Sequence, residues 1–152
     1  MKTLLKNKKI NFEYFIEKEI EGGLVLEGWE VKSLINGKGS LVDSFVKEIN
    51  GEMFLVGFNI QGLVNTSSHK IIDNNRFKKV LLNNKEIDYL MGSSTLKGYT
   101  ILCSEIYLND KNKVKAKIVL AKGKKLYDKR QSEKEKTMKK DSQKMIKSVN
   151  RI

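Results

Sequence analysis

The chain has 152 residues, which suits one independently folding unit and is cramped for two. It is 39% hydrophobic and 32% charged with a formal net charge of +12, a globular composition whose large positive field points to a polyanionic partner. One cysteine excludes an intrachain disulfide, one histidine leaves no His-Cys cluster for zinc, and residues 1–6 lack the apolar stretch and cleavage site of a signal peptide, so a cytoplasmic protein is expected.

Phe12 to Ile20 alternates in part, with Phe12, Tyr14 and Ile16 on one side and Glu13, Glu17 and Glu19 between them, which predicts a half-exposed strand. Gly22 and Gly23 predict a turn into Leu24, Val25 and Leu26. Trp29 to Ile35 sets Val31, Leu34 and Ile35 at helical spacing, and Asn36-Gly37 stops that short helix. Val42 to Ile49 and Glu52 to Ile60 are rich in β-formers. Between them stands Asn50-Gly51, the pair that most favours a two-residue type I′ hairpin. Gln61 to Asn75 is polar and irregular, a long loop of the kind that often carries function.

A second helix is predicted over Lys79 to Met91, with Leu81 or Leu82, Ile87, Leu90 and Met91 as its apolar face and Gly92 at its end. Tyr99 to Leu108 and Val114 to Leu120 predict another hairpin across residues 109–112. Cys103, beside Ile101 and Leu102, reads there as a small buried hydrophobe. In the last strand Val114, Ala116, Ile118 and Leu120 alternate with Lys113, Lys115 and Lys117, so one face packs and the other presents ammonium groups.

About six strands with a short and a longer helix predict a mainly β chain, an OB-like small barrel that is closed or nearly so. The expected division is a barrel over residues 1–121 and a basic C-terminal tail over 122–152. The tail holds 12 Lys and Arg against 4 Asp and Glu, a net +8, which leaves 18 cations and 14 anions, or +4, for the rest. From Gln131 to Asn150 only Met138, Met145, Ile146 and Val149 offer apolar surface, so this stretch has helical propensity without enough burial to fold alone. No lipidation motif or long apolar run accompanies the charge, and nucleic acid rather than membrane is the expected partner.

No catalytic set emerges. His69 follows Thr66, Ser67 and Ser68, but adjacency in sequence does not make a triad. Gly123-Lys124-Lys125 lacks the upstream glycine of a phosphate loop, since Ile118 occupies that position. Glu30 and Asp43 alone would be a minimal metal site, so neither metal nor cofactor is expected and the chain reads as a non-enzyme. Ala121 to Arg130 differs in kind. Five cations in ten residues can neutralise phosphates and release counterions, and Tyr127 offers a flat face for an unpaired base.

Gly28, Trp29, Glu30, Val31, Lys32, Ser33 and Leu34, then Asp43 and Ser44, then Ala121 to Arg130, resemble in order the signature segments of the SsrA-binding protein (SmpB) family. The resemblance extends through Asn59, Ser67-Ser68-His69, Asp73, Arg76, Lys78, Lys79, Leu81 and Leu82. It implies an OB-like barrel that binds the tRNA-like domain of transfer-messenger RNA (tmRNA) and delivers it to stalled ribosomes in trans-translation. It also implies a tail that is disordered alone and becomes helical in the empty mRNA channel. Carried over residue by residue, the body's RNA-binding positions are Glu30, Lys32, Asn59 and Lys78. The tail's RNA- and ribosome-binding positions are Lys122, Gly123, Lys124, Lys125, Tyr127, Asp128, Lys129 and Arg130, with Tyr127 stacking on a small-subunit rRNA base in the decoding centre. A monomer is expected. The chain departs from the family at Gln61-Gly62 and at Lys70-Ile71-Ile72, and its tail favours Lys over Arg, which keeps phosphate attraction but loses bidentate contacts. Without the resemblance, the residues equally suit a general RNA-binding barrel, such as a ribosomal or RNA-chaperone protein.

Overall fold

The computed structural model describes residues 1–62 and 73–124. The middle of the predicted long loop and the tail beyond Lys124 lie outside them. In chain order the elements are β1 (Lys2–Lys6), α1 (Ile10–Glu13), β2 (Tyr14–Leu24), α2 (Gly28–Ile35), β3 (Gly39–Ser40), β4 (Phe45–Ile49), β5 (Glu52–Val56), β6 (Asn59–Ile60), β7 (Lys78–Leu81), α3 (Asn84–Ser94), β8 (Tyr99–Leu108) and β9 (Val114–Gly123). Seven strands form one antiparallel sheet in the order β1-β8-β9-β2-β7-β5-β4, and β3 pairs with β6. The sheet curls until β4 lies against β8, but the two do not pair, so the barrel is OB-like and open.

Local chemistry explains the elements that were anticipated. Asn50 (φ 52°) and Gly51 (φ 81°) both adopt the left-handed conformation that a type I′ turn requires, and they join β4 to β5 in register from Ile49–Glu52 to Phe45–Val56. The β8–β9 hairpin is also present, with β9 continuing past Leu120 to Gly123. Cys103 is fully buried, and burial pushes its thiol up to about 12.

Other expectations are corrected. The segment after Lys9 opens as a helical turn, so β2 begins at Tyr14 rather than Phe12. Gly22 and Gly23 form no turn: β2 runs straight through them. At Gly22 the neighbouring strand comes so close that a Cβ would stand 2.9 Å from Val80 Cγ1 and 3.0 Å from Leu82 Cδ2. The stretch Lys79 to Leu82 is not helix. It belongs to β7 and the link after it, and α3 starts only at Asn84, where Asn83 Oδ1 accepts from the Glu86 amide at 2.8 Å and Glu86 Oε1 from the Asn83 amide at 3.0 Å. Gly92 does not end that helix, which continues to Ser94. The predicted strand Glu52 to Ile60 is two strands, broken at Gly57-Phe58, and Val42 to Asp43 lies outside β4. Lys2–Lys6 adds an unanticipated strand along β8, which brings the described strands to nine rather than about six.

One side of the sheet, the inner face, carries the main core. Ile20, Met53, Leu55, Val80, Ile101, Ile118 and Leu120 meet Trp29 and Leu34 of α2 and Leu90 of α3 there. Each such side chain contributes roughly 1.5–3 kcal/mol when fully removed from water. On the outer face a smaller cluster forms where Ile10 covers Leu102, Val119 and Ala121. The non-core side of the last strand is therefore ammonium-bearing only in part.

Replacing Gly22 with Ala should lower stability by about 1–3 kcal/mol, the usual cost of overpacking, because the new methyl must displace two core side chains. Urea unfolding checks it. An unchanged midpoint would mean that β7 yields freely.

Candidate nucleic-acid interface

Helix α2 begins with a reciprocal cap that turns Glu30 inward. Its Oε1 accepts from the Glu27 amide at 2.7 Å, and its side chain is entirely buried. A carboxylate so placed needs a cation, and Arg76 Nη2 reaches the same Oε1 at 2.5 Å. The guanidinium also donates to the carbonyls of Val25 and Phe77, each at 3.2 Å, and its side chain remains 31% exposed. Lys78, fully buried, donates from Nζ to the Phe58 carbonyl. Desolvation lowers its pKa to about 8 despite the opposing pull of Glu30. Oε2 of Glu30 and Nε of Arg76 are buried with no hydrogen-bond partner among the described residues.

Arg76 stands at the rim of an unusual surface. Strand pairing sets Gly23 opposite Leu81 and Lys115, alternation within β7 puts Lys79 and Leu81 on the outer face, and Val25 and Phe77 lie just beyond the end of β2 and the start of β7, with the Val25 amide donating to the Lys79 carbonyl. Val25, Phe77 and Leu81 are 45%, 49% and 51% exposed, three large apolar side chains that meet solvent along this stretch. Cations border it. Lys79 pairs with Glu52 at 3.0 Å, and Lys117 with Glu105 at 3.5 Å. The Glu105 carboxyl is held below its usual range, first by the hydroxyl of Thr3 at 2.5 Å and then by Lys117. Beside Lys115, the Tyr107 hydroxyl donates to Glu21, and burial together with that carboxylate raises the phenol's pKa. Half-exposed apolar groups among ammonium and guanidinium groups can hold bases and phosphates together.

The chain leaves the sheet at the other end of β2. Lys122 lies between Phe15 and Tyr99 across three adjacent strands, and Gly123 donates to the Gly98 carbonyl at 3.0 Å. The Lys124 amide donates to the Glu13 carbonyl at 2.9 Å, and its ammonium sits 4.6 Å above the Phe15 ring. Lys122 lies 5.8 Å from the Tyr99 ring centre and Lys18 4.5 Å from that of Tyr89. Exposed contacts of this kind are worth about 0.5–1 kcal/mol each.

The structure distributes the residues singled out in the sequence over three places. Glu30 and Lys78 belong to one buried cluster, Glu30 against Arg76 and Lys78 against the Phe58 carbonyl. Burial of a charged pair depends on tertiary neighbours that no local pattern displays. Asn59 is half-buried and donates to Asn75 Oδ1 at 3.0 Å at the root of the loop. Lys32, two residues beyond Glu30 and so about 200° round the helix, is exposed and points away from that cluster. Lys122, Gly123 and Lys124 lie roughly 30 Å along β2 from Val25, since each strand residue advances about 3.3 Å. Lys125, Tyr127, Asp128, Lys129 and Arg130 are outside the described residues. The outer apolar patch was missed, because Leu81 was assigned to a helical core face. The period-2 series Phe77, Lys79, Leu81 was the available signal.

A family model described as SmpB protein matches residues 4–148. An SsrA-binding protein of Pseudomonas fluorescens is 43% identical over 146 residues, covering 96% of this chain and 91% of its own length. Among solved structures, one described as "tmRNA-SmpB: a journey to the center of the bacterial ribosome" aligns with a TM-score of 0.66 at 33% identity, over 83% of this chain and 91% of that one.

The buried Lys78 makes a prediction about pH. Between about pH 8 and the ordinary lysine value of 10.5, the unfolded chain keeps a proton that the folded chain has released, so stability rises with pH in that window. Relative to Lys78→Met, the wild type should gain on the order of 2 kcal/mol between pH 8 and 10 in urea unfolding. A constant difference would show that Lys78 keeps its proton.

Proposed function

The chain belongs to the SmpB protein family, and we propose that it binds tmRNA through its β-rich body and brings that RNA to stalled ribosomes with the help of its basic tail. The extent of the match carries this assignment: residues 4–148 include both the sheet and the Ala121–Arg130 segment. The relative that matches over nearly the whole chain is named for binding SsrA, and the structural neighbour is a tmRNA-SmpB structure concerned with the bacterial ribosome. Work on ribosomes places the protein in the cytoplasm. Among the described residues, no helix is long and apolar enough to cross a membrane.

On the body, the outer face of β2, β7 and β9 receives the RNA. Val25, Phe77 and Leu81 take apolar base or ribose surface, while Lys115, Lys79 and Arg76 take phosphates. Glu30 serves this face from beneath by fixing the guanidinium of Arg76, and Lys78 helps hold the β7 end in place. Asn59 and Lys32 extend contact toward the loop root and the exposed side of α2. The tail, with Lys122, Gly123, Lys124, Lys125, Tyr127, Asp128, Lys129 and Arg130, acts in the decoding centre of the small subunit, Tyr127 by stacking on an rRNA base. β9 pairs through Gly123, so the first residues of the tail are still held in the sheet. The activity is binding rather than bond-making, in keeping with a thiol raised to about 12 inside the core, where it cannot supply a nucleophile.

The body and tail make separable predictions. At physiological salt the full chain should bind the tRNA-like domain of tmRNA more tightly than ordinary tRNA or an unrelated RNA of equal length. Equal affinities would reduce it to a general RNA-binding barrel. Ending the chain after Lys124 should leave that binding within about twofold and abolish peptide tagging on stalled ribosomes. If RNA binding is lost as well, body and tail are not separate devices. Arg76→Ala should weaken binding by about tenfold and reduce the salt slope by roughly one phosphate contact, measured from affinities between 50 and 300 mM salt.

A further inference from the structure

We propose that Asn75 is a positioning residue for RNA binding, one that fixes the backbone beneath Arg76 by tying it to β6 through Asn59. The proposal rests on the reading of Arg76 as a phosphate ligand of the outer face given above. The RNA contact stays with Arg76, and Asn75 acts through it.

An arginine side chain populates many rotamers, and ordering it only when RNA arrives would cost affinity. The head of Arg76 is ordered beforehand: Nη1 donates to the Phe77 carbonyl, and Nη2 donates to the Val25 carbonyl and to Glu30. Such contacts place the guanidinium only as well as the backbone beneath it is placed. That backbone is not part of the sheet. β7 starts at Lys78, and Arg76 belongs to the stretch by which the chain returns from the loop after β6. It therefore needs a fastening of its own.

Asp73 bends the returning chain into a turn. Its Oδ1 accepts from the Asn75 amide at 3.0 Å, and its carbonyl accepts from the Arg76 amide at 3.4 Å. Two further bonds hold this turn against β6: the Ile60 amide donates to the Asn74 carbonyl at 3.0 Å, and Asn59 Nδ2 donates to Asn75 Oδ1 at 3.0 Å. β6 is itself paired with β3, where Ile60 faces Gly39 and Asn59 faces Ser40, so the turn is tied to a paired strand rather than to another loop. Asn75 takes part in both sets of bonds, through its amide to Asp73 and through its side chain to Asn59. Its side chain is exposed and adjoins Arg76 in sequence, yet Oδ1 is engaged by Asn59 rather than offered to RNA donors, while Asn59 keeps its own Oδ1 for the partner. Removing the Asn75 amide group frees the turn from β6 on the side-chain side and leaves the backbone bonds and the head of Arg76 as they are.

Affinity for the tRNA-like domain of tmRNA is measured from about 50 to 300 mM salt for the full-length wild type, Asn75→Ala, Arg76→Ala and the double variant. Asn75→Ala should weaken binding about fivefold with the salt slope unchanged, because the phosphate contact still forms but has to be ordered first. In the Arg76→Ala background the same change should cost less than about twofold, since nothing is left to position. Equal losses from Asn75→Ala in both backgrounds would make Asn75 an independent contact or a general support of the fold, and overturn the positioning role. Wild-type affinity in Asn75→Ala overturns it as well. If Arg76→Ala binds like the wild type, the outer-face reading and this role fall together, with tmRNA binding itself untouched. Failure of the wild type to bind the tRNA-like domain takes down the proposed function and this role with it. Should Asn75→Ala not fold, Asn75→Ser, whose hydroxyl is too short to reach Asn59, takes its place in the cycle.

Discussion

A carboxylate sealed beneath a small β sheet sets the terms for the residues around it. Taking Glu30 out of water costs several kcal/mol, and the cost is recovered only if cations and backbone donors surround it. The Glu27 amide and Arg76 supply this directly, and Lys78 completes the charge balance from the Phe58 carbonyl. Three distant stretches of chain are thereby tied to one point: the start of α2, the approach to β6 and the entry to β7. A buried ion pair is a weak source of net stability, and an apolar replacement of equal volume often does as well. Its value here is positional, since it fixes a guanidinium at the rim of an exposed apolar face.

A β barrel, open or closed, turns one side of every strand inward and leaves the other to water, where polar residues are the ordinary choice. In this chain Leu81 of β7, with Val25 and Phe77 just outside the strands, meets water among lysines, and the core on the inner face is complete without them. Outward apolar residues weaken solubility and contribute nothing to the core, so a bound partner is the physical reason to have them. The opposite end of β2 repeats the combination in another form, with rings already covered by ammonium groups beside the start of the tail.

Local signals were legible wherever local chemistry decides. Asn50-Gly51 makes its turn because both residues tolerate positive φ, and Asn36-Gly37 closes α2 for a related reason, with Gly37 at φ 74°. The second hairpin and the burial of Cys103 followed from alternation alone. Failures cluster where a non-local neighbour decides. The glycine pair at 22 and 23 is continuous strand because β7 presses against it. Lys78 to Leu81 has a core lysine and an exposed leucine, an inverted strand pattern that resembles one turn of an amphipathic helix until its partners are known. The capping box Asn83–Glu86 is the local signal of the true helix start.

By itself the sequence determined the charge asymmetry between body and tail, the turns and caps, and the three signature segments by which the family is recognised, because these depend on residue type and short spacing. Only the tertiary structure decided that Glu30 and Lys78 are buried, that Arg76 is the group they present, and that Leu81 faces water. The reason is register. Which face a strand residue occupies is set by its pairing partner, and the partners of β7 lie more than twenty residues away in β5 and more than fifty away in β2.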